Sequence, residues 1–133
     1  MKINIFVNSK YLNKKYIQEA IEDYKKRCSK FNKITFYNKF NEELLLKSTS
    51  YNINVTTEGK YINSIAFSNV INDCLLNRFK DFNVFFELEN KHDNVNNMCF
   101  YNVNIISSGF LYVMVLEQIY RSYKILNNEP YHK

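Results

Sequence analysis

The sequence predicts an α/β domain with a mainly parallel sheet and helices on both faces. Two observations carry that expectation. Short apolar, strand-like runs alternate with segments whose apolar residues recur at helical spacing, in the order β-α-β-(short)-β-α-β-β-α. The 133 residues, 46% of them hydrophobic, also show no internal repeat, linker or low-complexity stretch beyond a general richness in Asn, so residues 1–133 read as one domain with its own core. The Asn richness reads as genome base composition rather than chemistry.

Residues 2–7 alternate Ile3, Ile5 and Val7 and predict a buried first strand. Asn8 to Asn13 is a polar connection. Lys14 to Phe31 follows as a helix, with Tyr16, Ile17, Ala20, Ile21, Tyr24 and Cys28 on one face and Lys14, Lys15, Lys25, Lys26, Arg27 and Lys30 around the rest. Lys33 to Phe40 reads as a second strand through Ile34, Phe36 and Phe40. A short helical turn is expected at 42–47, then a short strand at Asn52 to Val55. Thr56 to Lys60 reads as a turn in which Gly59 supplies backbone freedom. A helix with Ser64 as N-cap runs from there to about Phe79 on Ile65, Ala66, Val70, Ile71, Cys74 and Leu75. Asn83 to Leu88 is a fourth strand, Glu89 to Asn97 a polar loop, and Met98 to Ile106 holds a fifth strand. Ser107 or Ser108 caps a final helix ending near Leu126.

Composition narrows the partners. The net charge is +5, from 18 basic and 13 acidic residues, a mild bias toward a polyanion. The rings are all Phe and Tyr, 17% of the chain. Core packing accounts for most of them, and a few exposed ones would suit base stacking. Cys28, Cys74 and Cys99 are isolated, and His92 and His132 lie far apart, so neither a disulfide framework nor a metal site is expected. No run is long enough to span a bilayer, and the first residues lack a signal peptide's apolar region, so a cytoplasmic, non-membrane protein is expected. Glu87, Glu89, Asp93 and His92 form a small acidic group that reads as a polar loop before it reads as an acid–base site.

The chain's last stretch carries the most specific signal. Leu116-Glu117-Gln118-Ile119-Tyr120-Arg121 is an apolar helix bearing a Glu-Gln pair and a Tyr-Arg pair. It is followed by a turn and Pro130-Tyr131-His132-Lys133. With the Met-Lys-Ile strand and basic helix at the start, and Glu58-Gly59-Lys60 before a Ser-containing helix, this resembles the RlmH family. Its members are SPOUT-class enzymes that methylate N3 of a pseudouridine in large-subunit ribosomal RNA. The matching blocks cover about half of the chain. The resemblance implies a C-terminal trefoil knot, a homodimer and S-adenosylmethionine as cofactor. It also implies that each site borrows the partner's C-terminal tail.

Carried over residue by residue, the resemblance implies a cofactor pocket of Val55, Leu88, Glu89, Asn102, Val103, Asn104, Ile105 and Ile106. It gives Tyr131, His132 and Lys133 as the catalytic tail. Lys14, Lys15, Arg27 and Arg121 are candidate contacts to RNA phosphates; Arg121 is equally suited to an ion pair with Glu117 one turn earlier. Three departures stand out. Glu87-Leu88-Glu89 occupies the place of the family's Gly-Gly turn, so side chains are expected to obstruct the cofactor or re-route the loop. Ser107-Ser108 replaces a Pro-His pair, and Tyr112 an arginine. The chain is also short between its second and third strands, where the family has an additional helical stretch. Two functions fit: an RlmH-like methyltransferase, or a catalytically degenerate paralogue that binds RNA, the ribosome or a protein without methyl transfer.

Overall fold

The structure is a computed structural model that describes residues 1–40, 42–89, 92–100 and 108–130. Its strands are β1 (Lys2–Phe6), β2 (Ile34–Tyr37), β3 (Ser50–Tyr61), β4 (Asp81–Phe86) and β5 (Asn96–Cys99). Its α-helices are α1 (Lys15–Cys28), α2 (Ser64–Leu76) and α3 (Ser108–Leu126), and short 3-10 helices cover Ser9–Leu12 and Glu42–Leu46. The strands form one all-parallel sheet in the order β2-β1-β4-β3-β5. This is the α/β class that the alternation predicts. The trefoil knot implied by the resemblance would involve residues 101–107, which lie outside the described residues.

The strand order dictates which face each connection crosses. A right-handed crossover puts a leftward and a rightward step on opposite faces of the sheet. β1 to β2 and β3 to β4 both step toward the β2 edge, and they carry α1 and α2 across the face presenting Ile3, Ile5, Ile53, Phe82 and Val84. There α3 packs between α1 and α2 and closes the main core with Val115, Leu116 and Ile119, all fully buried. β2 to β3 and β4 to β5 step the other way. Among the described residues they place the 3-10 helix at Glu42–Leu46 and the segment after β4 on the opposite face, where Leu45, Phe6 and Phe85 make a small second core.

That thinly covered face explains part of the Asn richness. Strand alternation puts Asn4, Asn83, Asn52 and Asn54 on it, and β-pairing aligns Asn4 with Asn83 and Asn83 with Asn52. Asn4 Nδ2 donates to Asn83 Oδ1 at 2.9 Å, and Asn83 Nδ2 donates to Asn52 Oδ1 at 3.0 Å. Asn54 Nδ2 donates to Asn97 Oδ1 at 3.0 Å. A buried amide is tolerated when its donors and acceptors are filled. These side chains fill one another where a covering helix would have required apolar ones. Base composition alone does not account for them.

Several expected boundaries shift. The segment read as a turn at Thr56 to Lys60 belongs to β3, which bulges there so that Val55 and Lys60 both face Met98 of β5. Gly59 is needed for space rather than for a left-handed backbone: a Cβ there would sit 2.6 Å from the Met98 backbone nitrogen. Asn63, not Ser64, caps α2, accepting the Ala66 N–H at 2.8 Å. β5 begins at Asn96, inside the stretch read as a loop. The polar connection after β1 winds into a 3-10 helix capped by Asn8.

Candidate active site

In an open parallel sheet, a crevice forms outside the carboxyl ends of neighbouring strands whose connections leave over opposite faces. β1 and β4 are such a pair here. A cleft of about 600 Å³ opens at their carboxyl ends. Its walls are Phe6, Val7 and Asn8 from β1 and its exit, Asn38 to Phe40 after β2, and Phe85 to Glu89 from β4 and its exit. Tyr11, Leu111 and Tyr112 close it. The volume falls in the range of small-ligand sites, and the lining mixes rings with a few polar groups.

Two contacts set the cleft's floor. The Asn8 N–H donates to the Tyr112 hydroxyl at 3.0 Å, which ties the β1 exit to the first turn of α3. Burial pushes the Tyr112 phenol up, opposed by that amide bond, so it stays neutral at physiological pH. Gly109 lets α3 approach, because any side chain there would collide with the Tyr11 carbonyl oxygen.

The β4 exit takes a specific shape. Glu87 has φ 47, the left-handed region that glycine enters without strain. Its carboxylate accepts from the Thr56 hydroxyl at 2.9 Å and from the Thr57 N–H at 3.1 Å. Its own N–H donates to the Val55 carbonyl at 3.1 Å, and the Leu88 N–H donates to Asn54 Oδ1 at 3.1 Å. The loop thus keeps a glycine-like turn while bonding the new carboxylate to the end of β3.

The sequence-derived site residues separate into groups. Leu88 and Glu89 line the cleft. Val55 stands behind it, buried in β3, and contributes only its carbonyl. Asn102, Val103, Asn104, Ile105 and Ile106, and the tail Tyr131, His132 and Lys133, lie outside the described residues. Of the candidate phosphate contacts, Lys14 is exposed at the start of α1. Lys15 pairs with Glu19 at 3.8 Å and Arg27 with Asp23 at 3.1 Å along that helix. Arg121 is half-buried and bonds Glu117 Oε1 at 2.6 Å. Glu117 in turn accepts from Gln118, and Gln118 accepts from Ser64 at 2.9 Å, which links α3 to α2. Of the acidic group, Glu87 and Glu89 belong to the cleft, while His92 faces a separate recess with Glu42 and Glu43.

Asn8, Lys39 and Phe40 are cleft residues that sequence reading did not single out. The signal for Asn8 was its place directly after the first apolar strand, where parallel sheets put ligand-facing loops. The buried thiols are not nucleophile candidates: burial pushes Cys28 and Cys74 up to about 12. Among the described residues, no group of three or more His, Cys, Asp or Glu is placed to hold a metal ion. No described helix is long and apolar enough to cross a membrane.

The C-terminal end of α3 is fixed by its cap. Asn128 adopts φ 53, and the N–H groups of Asn128 and Glu129 close onto the Ile125 and Lys124 carbonyls, a Schellman arrangement. Glu129 is then clamped by Lys124 at 2.6 Å and by Lys30, just beyond α1, at 3.1 Å. Those cations hold its carboxyl below the usual carboxylate range. Pro130 therefore departs near the C-terminal end of α1, beside the amino ends of the strands.

The all-parallel sheet, the cleft at its crossover point and the helix that closes it fit the α/β fold of the SPOUT-class methyltransferases. A family model described as predicted SPOUT methyltransferase matches residues 104–132. The chain is also similar to ribosomal RNA large subunit methyltransferase H 1 of Thermoanaerobacter sp. (strain X514) and H 2 of Thermoanaerobacter pseudethanolicus (strain ATCC 33223 / 39E). It is 32% identical to each over 122 residues, which span 90% of this chain and 90% of each relative. The chain belongs to the ribosomal RNA large subunit methyltransferase H (RlmH) family.

Proposed function

We propose that this protein transfers a methyl group from S-adenosylmethionine to N3 of a pseudouridine in large-subunit ribosomal RNA, as a homodimer in which one protomer's tail completes its partner's cleft. The observation that carries the reading is the cleft at the β1/β4 crossover, walled by rings and by Glu89, in a chain of this family. The donor set suits the cofactor: apolar walls for an adenine, carboxylate for ribose hydroxyls or a sulfonium, and a turn at Glu87 with glycine-like backbone. Leu88 and Glu89, with Asn102 to Ile106, are the residues to hold it. When bound, the cofactor supplies an electrophilic methyl group.

The chain's own work is positioning and proton handling. Asn8 and Tyr112 fix the cleft floor. Transfer to N3 releases the N3 proton, and an imidazole, which titrates near neutral pH, is suited to accept it; His132 of the tail is that group. Tyr131 stacks on the target base and Lys133 holds a neighbouring phosphate.

Geometry supports the dimer. α3 is about 28 Å long, with its first turn at the cleft and its end at the far edge. An extended three-residue segment spans at most roughly 10 Å, less than the length of α3 that separates Pro130 from its own cleft. A second protomer, packed antiparallel along α3, brings each tail to the other's cleft.

The test is incubation of ribosomal particles lacking this methylation with labelled S-adenosylmethionine, followed by mapping of the label. Label on one pseudouridine of the large-subunit RNA is the expected result. Binding to the particles without transfer would instead establish the non-catalytic paralogue.

A further inference from the structure

We infer that the amino-terminal edge of the sheet is a second RNA-contacting surface, a row of cations that holds phosphates away from the methylated base. The inference rests on the ribosomal RNA reading above.

Four neighbouring strands enter the sheet beside a lysine. Lys2 opens β1, Lys33 directly precedes β2, Lys80 directly precedes β4, and Lys47 sits in the turn leading into β3. Backbone bonds place them along one edge. The Ile3 N–H donates to the Lys33 carbonyl, the Lys2 N–H to the Lys80 carbonyl, the Lys80 N–H to the Thr49 carbonyl, and the Ser50 N–H to the Lys47 carbonyl. Arg78, held at φ 60 in the turn after α2, joins the row. Strands lie roughly 4.8 Å apart, so the row spans about 14 Å.

All five side chains are exposed, and none makes an ion pair among the described residues. The contrast with α1 is informative. Lys15, Lys25 and Arg27 each have a carboxylate partner one turn away, so that helix's charge is largely neutralised internally. Unrelieved like charges on adjacent strands are unfavourable, and phosphates would relieve them. A recess of about 530 Å³ opens between Lys2, Lys80 and Arg78, floored by Leu75 and Phe79. Its one carboxylate, Asp81, has Oδ1 engaged by Asn4 Nδ2 at 3.0 Å. The row also lies at the end of the molecule from which Pro130 departs, as the Lys30–Glu129 pair shows. An RNA strand entering the partner's cleft would pass near it.

The experiment compares the full-length protein with a triple variant, Lys33→Gln, Lys47→Gln and Lys80→Gln, for binding to ribosomal particles over a range of salt. Each phosphate neutralised by a cation adds roughly 0.7 to the slope of log affinity against log salt, so the slope should be shallower by about 2 in the triple variant. The matching Lys→Arg triple should restore the slope, which separates the effect of charge from misfolding. If the wild-type protein binds and methylates but the Gln triple keeps its slope, the row is not an RNA surface and only this inference falls. If the triple weakens binding to particles but not to deproteinised ribosomal RNA, the row meets a ribosomal protein, and the inference is again overturned. Failure of the wild-type protein to bind particles at all would remove the ribosomal reading and this one together.

Discussion

Replacing Glu87 by glycine tests how the β4 exit is built. The substitution removes a left-handed non-glycine residue, which relieves about 1–2 kcal/mol of backbone strain. Three costs oppose that gain. The Thr57 N–H is exposed and water replaces its partner, at a cost of about 0.5–1.5 kcal/mol. The Thr56 hydroxyl is buried and is left without its acceptor, at about 1–3 kcal/mol. Glycine also gives the unfolded chain more freedom, worth roughly 0.5–1 kcal/mol. The balance is a destabilisation of about 1–3 kcal/mol, readable in urea unfolding. Because the carboxylate is bonded to β3, its removal should change S-adenosylmethionine affinity by less than about threefold in calorimetry. A variant at least as stable as the wild type would show that the threonine bonds contribute nothing. An affinity gain of tenfold or more would show that Glu87 obstructs the cofactor after all.

Asn83→Ala should cost about 3 kcal/mol or more, because it leaves buried Asn52 and half-buried Asn4 each without that partner; a melting temperature lowered by less than about 3 °C would refute the amide ladder as a stabilising device. Burial holds the thiols of Cys28 and Cys74 and the phenol of Tyr123 up to about 12. Each keeps its proton more tightly folded than unfolded, so stability should be full below about pH 9 and fall as pH rises toward 12, and a flat urea midpoint over that window would contradict the packing. Removing Tyr131 to Lys133 should leave the melting temperature within about 2 °C, since the α3 cap and the Glu129 clamp remain, while methyl transfer is abolished; retained activity would exclude the tail from the site. Sedimentation at micromolar concentration should show a dimer, and a monomer alone would remove the route by which a tail reaches a cleft.

Much of the fold was legible because local pattern and tertiary burial agree. Ile3 and Ile5 alternate in sequence and are fully buried on one face, and Ile17, Ile21 and Cys28 recur at helical spacing and meet α3. The signal failed where a tertiary partner decided the outcome. Gly59 reads as a turn residue, yet its role is set by Met98 of a strand far along the chain. Asn96 and Asn97 carry no strand propensity, and they enter β5 because β3 offers an edge to pair with. Of the candidate site, the backbone of the β4 exit was legible, because an acidic residue standing where a family uses glycine marks a backbone requirement, which Glu87 meets at φ 47. Asn8 was legible only by its place directly after the first strand, and Lys39 not at all: its position in the cleft follows from which strands are neighbours, which local sequence does not encode.

The opposite ends of α3 bring the site and the tail into one argument. At its start, Gly109 and Tyr112 press the helix against the β1 exit and complete the cleft. At its end, the Asn128 cap and the Glu129 clamp aim the chain away from that cleft. The helix interior is occupied with holding the domain together, through Val115, Leu116 and Ile119 in the core and the Arg121–Glu117–Gln118–Ser64 chain across to α2. On the proposed reading, a rigid rod with the candidate cleft at one end and the tail at the other would not join them within one protomer. Two such rods laid antiparallel would, and would do so twice by symmetry. The cationic edge lies at the tail end, so the same antiparallel placement would set it beside the partner's cleft. Phosphate contacts and base chemistry would then be supplied to one RNA strand by two copies of the chain.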